Sequence, residues 1–165
     1  MPSPTGRLDA IYTAPHAGQA VIVNTRAEIT PDGLVGDRYT SGEGSFSRWP
    51  AAYRAVSLIR QEAIDAAEAE FGVSMQAGEH RRNLVVSGVP LDAWRGVRFR
   101  IGSVELVGER LCAPCKYLVR VTGQADAFRA LVGRGGLRAR VVVPGVLRVG
   151  DAVEPLTGSR RALPG

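Results

Sequence analysis

Long apolar runs are missing from this 165-residue chain. No stretch approaches the roughly 20 uncharged apolar residues that a membrane helix needs. The Pro/Gly-rich start, Met1 to Gly6, carries no apolar signal core, so a cytoplasmic protein without a membrane partner is expected. Cysteine stops at two. In a reducing compartment, a core of this size needs no disulfide staple, so Cys112 and Cys115 have another reason to be present. Histidine also stops at two, and neither His16 nor His80 has a partner signature, which leaves no Ser-His-Asp set. P-loop and dinucleotide fingerprints are absent, as are flavin, haem and iron-sulfur motifs. Lysine is the scarcest charge: of 21 basic residues only Lys116 is not arginine.

The charge that is present is positive, with 21 Lys and Arg against 16 Asp and Glu for a net +5. It is dispersed, with no clustered Lys/Arg run interleaved with aromatics, and this argues against a nucleic-acid partner. Arginine's planar fork binds phosphate or carboxylate in bidentate fashion, which suits a phosphate-bearing small molecule. A GC-rich genome gives the same bias. Length and a 45% hydrophobic fraction predict one globular domain over residues 1–165, with a frayed tail from Thr157 to Gly165.

Short β-rich runs dominate. Ile11 and Val21 to Val23 open the chain, and Gly33 to Pro50 reads as a long loop, since Gly36, Gly42 and Gly44 are too close for a strand or helix. Val56, Leu58 and Ile59 read as a strand end. The surest helix spans Gln61 to Phe71, with Ala63, Ile64, Ala67 and Phe71 on one face and Gly72 at the C-cap. Leu84 to Val86 is a short strand, and Val97 to Ile101 with Val104 to Val107 forms a hairpin around Gly102-Ser103. A short amphipathic helix follows at Ala127 to Val132, ending at Gly133. Leu137 to Val143 and Val146 to Val153 are the last strands, with a turn at Gly150-Asp151. Strands that are not regularly interleaved with helices predict a mainly β fold, a closed or nearly closed antiparallel barrel with a few peripheral α-helices.

Four local features stand out: Gly33-Leu34-Val35-Gly36-Asp37-Arg38, Gly78-Glu79-His80-Arg81-Arg82-Asn83-Leu84, Cys112-Ala113-Pro114-Cys115, and the closing Gly-Leu-Arg-Ala-Arg-Val to Gly-Asp-Ala-Val. In order and spacing they resemble the MOSC family, the module at the C-terminus of molybdenum cofactor sulfurases, from about Gly33 to Val153. The resemblance implies a β-barrel that binds the molybdenum cofactor, a phosphate-bearing pterin with a dithiolene-held metal. It implies that Cys115 is the reactive and metal-ligating cysteine. A thiolate suits a sulfur-coordinated molybdenum and can also hold transferable sulfur as a persulfide. Lys116 beside it and Arg110 nearby would favour the ionised thiol if they point inward. The plain alternative for Cys115 is a small buried hydrophobe.

Arg81, Arg82 and Asn83 fall where the family carries its Arg/Asn signature, matching a phosphate and a pterin edge; the alternative is a solvated basic turn. In an extended strand only one of the two arginines would reach the pocket, and Arg82 is preferred. Asp37 and Arg38 match the family's glycine-aspartate motif, although Tyr39 stands where a histidine often follows. Asp37 either orients Arg38 or caps a turn. Arg134, Gly135 and Gly136 offer backbone donors for an anion or simply a loop, and His80 reads as surface.

The implied activity is sulfur transfer or carriage, or reduction of N-hydroxylated compounds with an electron donor in trans. A sulfur donor would also come from a partner, because the pyridoxal phosphate domain of full sulfurases needs far more chain. The other readings are a non-enzymatic cofactor carrier and a zinc or redox thiol protein built on Cys112 and Cys115. In the latter, Cys112 would act with Cys115; otherwise it is a resolving thiol or core packing.

Overall fold

The computed structural model describes residues 5–14, 21–37, 55–75, 78–113 and 117–156. The strands in chain order are β1 (Gly6–Thr13), β2 (Ile22–Asn24), β3 (Arg26–Thr30), β4 (Gly33–Leu34), β5 (Val56–Arg60), β6 (Leu84–Ser87), β7 (Arg98–Ile101), β8 (Val104–Leu111), β9 (Leu137–Val143), β10 (Gly145–Arg148) and β11 (Ala152–Pro155). The helices are α1 (Gln61–Phe71), α2 (Tyr117–Thr122) and α3 (Ala127–Ala130), with a 3₁₀ turn at Leu91–Ala93.

Seven strands form a closed barrel in the order β11-β7-β8-β9-β5-β6-β1, and β1 returns to β11 through Gly6 opposite Val153 and Arg7 opposite Ala152. Closure removes the free edges. β2 hangs on β1 as a hairpin, and β10, β3 and β4 form a small second sheet. Among the described strands, all ladders but one are antiparallel. The exception is β5 with β6, where α1 supplies the crossover that parallel neighbours require.

The apolar pattern explains this arrangement. Leu8, Ile11, Leu58, Phe99, Leu106 and Leu137 fill the barrel interior. A second cluster lies outside it, where Tyr12, Ile59 and Val85 meet Ala63, Ile64 and Ala67 of α1 with Leu118, Ala127 and Leu131. β5 therefore serves both sides: Val56 and Leu58 face inward and Ile59 faces the helices. A strand buried on both faces reads as a continuous apolar run rather than as alternation. α1 ends where expected: Gly72 takes the left-handed conformation at φ 66 and donates to the Glu68 carbonyl at 2.9 Å, with Val73 donating to Ala67 at 3.3 Å.

Three features depart from the sequence reading. β3 was not expected, because only Ile29 of its residues is buried and its partner β10 is distant in sequence. α2 was not expected either, in a segment rich in β-branched residues. The strand from Val104 runs on to Leu111 through an irregularity between Gly108 and Arg110. Of the long loop, Gly33 and Leu34 form β4 and the chain turns through Asp37; residues 38–54 lie outside the described residues, as does the 157–165 tail.

Candidate functional site

Asn83, immediately before β6, ties three strands together. Its Oδ1 accepts from the Ser57 amide and the Ser57 hydroxyl, each at 3.1 Å, and its Nδ2 donates to the Tyr12 carbonyl at 3.2 Å. Its backbone donates to Ser57 and accepts from Tyr12 at 2.7 Å. The amide is buried and its hydrogen-bonding capacity is largely taken up inside the protein. Asn83 thus stands at the site as a clamp between β1 and β5. Asp37 does similar work at the end of β1, where its buried carboxylate accepts the Ala14 amide at 2.9 Å. Arg38, which Asp37 would orient on one of the two readings of the sequence, lies outside the described residues.

Gly78 to Arg81 form a turn closed by the Arg81 amide donating to the Gly78 carbonyl at 3.0 Å. A side chain at Gly78 would collide with Val21 and the Tyr12 ring. Arg81 sits at φ 65, the only non-glycine residue with positive φ among the described residues. The premise that Arg81 and Arg82 alternate along an extended strand therefore fails. Arg81 buries its Nε and Nη2 nitrogens, and Arg82 directs its Nε–H to the Gly135 carbonyl at 2.8 Å.

That carbonyl locates Arg82. Gly135 and Gly136 lie between the ends of β8 and β5: the Cys112 amide donates to Gly136 at 2.8 Å. A Cβ on Gly135 would strike the Cys112 carbonyl, and one on Gly136 would strike the Leu58 carbonyl. Here the glycines serve close backbone approach, a role different from the anion-donating loop considered from the sequence. Arg82 is consequently anchored beside the strand end that leads through Cys112 toward Cys115. Cys112 is a buried free thiol. Cys115 and Lys116 lie outside the described residues, as does His16.

Two further arginines were missed as a pair by the sequence reading. Ser57 stands opposite Arg138 on β9, and Arg138 stands opposite Arg110 on β8, so the three share one row on the face turned away from the barrel core. The signal lay in the alternation of Leu137, Arg138, Ala139 and Arg140, but the register that sets Arg110 beside Arg138 is long-range. The two guanidinium-bearing residues therefore stand side by side on neighbouring strands. Arg134, in contrast, points elsewhere: it bonds Glu70 at 2.6 Å and the Ala130 carbonyl at 2.7 Å.

His80 corrects a surface assignment. It is fully buried, edge-on to Tyr12 with ring centroids 5.5 Å apart, and its Nδ1 accepts the Arg82 amide at 2.9 Å. Burial, and secondarily the Arg82 charge, pull its pKa down to about 3. The ring is neutral at physiological pH. Among the described residues no three His, Cys, Asp or Glu side chains gather as metal ligands.

The profile of the MOSC domain matches residues 24–154, which include Asp37, Ser57, His80, Arg81, Arg82, Asn83 and Gly135 of this site. The chain belongs to the MOSC domain family. Members are generally associated with molybdenum cofactor binding. Solved MOSC-type structures share the fold of this MOSC chain. The YuaD protein from Bacillus subtilis superposes with a TM-score of 0.78 at 20% identity, over 92% of this chain and 95% of that one. YiiM from Escherichia coli gives 0.64 at 19% identity, over 92% of this chain and 70% of the other. YiiM from Geobacillus stearothermophilus gives 0.67 at 16%, over 93% and 78%. No curated protein matches this MOSC domain.

Proposed function

We propose that this MOSC domain binds the molybdenum cofactor beside the β8–β9 strand ends and uses Cys115 as its reactive thiolate, for sulfur transfer or for reduction of N-hydroxylated compounds. The observation that carries this reading is the placement of Arg82. Its Nε is fixed on Gly135, and among the described residues no carboxylate neutralises the remaining edge of its guanidinium. A guanidinium edge of this kind fits an anionic group and would repel a cation.

The cofactor, when bound, supplies a redox-active, sulfur-coordinated metal and an anionic phosphate. Arg82 would bind the anion in bidentate fashion with its free edge, and Arg38 and Arg81 are further candidates to contact it. Asn83 would act by holding β1 and β5 in place, and Asp37 by fixing the entry to the following segment. Cys115 must be deprotonated to serve as ligand or sulfur carrier, which Lys116, its neighbour in sequence, would favour. A sulfur donor or an electron-donor protein would act in trans.

The test is metal and pterin analysis of protein purified from a cofactor-producing host. Wild-type protein should retain molybdenum and pterin. Arg82→Ala should retain them about 10–100-fold more weakly, the loss expected from one charged hydrogen-bond donor. Cys115→Ser should keep the fold but lose metal ligation or sulfur transfer, whereas Cys112→Ser should keep both. Persulfide on Cys115 selects sulfur carriage, and turnover with an added reductase selects reduction. Stoichiometric zinc without molybdenum or pterin, or wild-type behaviour in both cysteine variants, rejects the proposal.

A further inference from the structure

Immediately before Arg82 stand two features that contact with an anion does not itself require, the burial of His80 and the backbone conformation of Arg81. His80 is wholly buried, and because its Nδ1 accepts the Arg82 amide at 2.9 Å, the ring proton must sit on Nε2. Nε2 is itself buried and makes no hydrogen bond among the described residues. A buried donor left unsatisfied is unfavourable, and an apolar ring could fill the same space against Tyr12 without that penalty. The next residue, Arg81, holds a backbone conformation that side chains other than glycine rarely adopt. Two successive unfavourable choices directly before one arginine indicate a constraint on that arginine.

The geometry shows what is constrained. Arg82 is held from behind by the imidazole at its backbone amide, and from in front by the Gly135 carbonyl at its Nε, at 2.8 Å. With both anchors in place its side chain has little freedom to swing. We infer that His80 is a positioning residue: through the Arg82 amide it sets where the Arg82 guanidinium stands, and so fixes the anion-facing edge of the site. The functional meaning rests on the cofactor-binding reading above; the mechanical link between the two residues does not.

The test uses the full chain labelled with ¹⁵N. Imidazole nitrogen shifts in the wild-type protein should report a neutral ring with its proton on Nε2. Exchange of the Arg82 Nε–H should be slow. His80→Asn keeps an acceptor near the position of Nδ1 and should leave that exchange within about twofold of wild type. His80→Gln places its polar group at the Nε2 end and should speed it at least tenfold, with a similar unfolding temperature. Molybdenum retention should follow the same order. A proton on Nδ1, or equal protection of Arg82 Nε–H in both variants, overturns the inference; the first readout needs no variant to fold. If exchange divides the variants but no form of the protein retains molybdenum, His80 still positions Arg82 and the cofactor reading fails instead.

Discussion

A histidine that stays neutral inside a protein leaves a mark on stability that can be measured without knowing any ligand. For His80 the sign follows from its lowered pKa of about 3 against 6.5 in an unfolded chain. Above pH 6.5 the ring is neutral in both states, and its contribution is fully present. Below 6.5 the unfolded chain takes up a proton that the folded one refuses, so stability falls as pH falls, until the folded pKa is reached. With about 1.4 kcal/mol per pH unit, wild-type protein should lose roughly 2 kcal/mol between pH 6.5 and 5 from this residue. Urea unfolding of wild type and His80→Asn at pH 7.5 and 5 measures it: the variant has no group to titrate and should lose about that much less. Equal losses in both would show that the histidine is not held neutral. His80 was not legible in the sequence, because its neighbours Arg81 and Arg82 read as a solvated turn and nothing local reveals that a ring is roofed by distant segments. Asp37 and Asn83 were legible as important positions, but their hydrogen bonds to Ala14, Ser57 and Tyr12 turn them inward, toward the scaffold.

Glycines test the elements in a similar way, because φ and space can be separated. Gly136 and Gly150 have similar positive φ, 109 and 100. A side chain at Gly136 would run into the Leu58 carbonyl, while at Gly150 nothing lies within contact distance. Gly150→Ala should therefore cost only about 1–2 kcal/mol of conformational strain. Gly136→Ala should cost more than about 3 kcal/mol, since backbone must also move apart where β5 meets β9. Thermal unfolding of the two variants checks this, and equal losses would mean that the close approach is unimportant. Elements with a strong local pattern were readable from the sequence: α1 through its apolar face and Gly72, and the β7–β8 hairpin through its alternation. β3 and α2 were not. β3 depends on pairing with β10 across more than a hundred residues of chain, and α2 contains Val119, Val121 and Thr122, whose strand preference is overridden by Leu118 packing against the outer cluster.

For the molecule as a whole, the number of short strands and the scarcity of helices pointed to a barrel, and the closed seven-strand order agrees. What the chain could not disclose locally was the order itself, above all that β1 and β11 are neighbours. That seam has a consequence for synthesis. The partner of Gly6 is Val153, so every residue from the one to the other must leave the ribosome before β1 can meet β11. At roughly 5–20 residues per second the leading strand waits on the order of 10 s with one side of its first two residues uncovered. Throughout that interval the nascent chain can hold the β1–β2 hairpin, but never a sealed barrel. A ribosome halted just before Ala152 would therefore display an unfinished wall to every chaperone and neighbouring chain in reach.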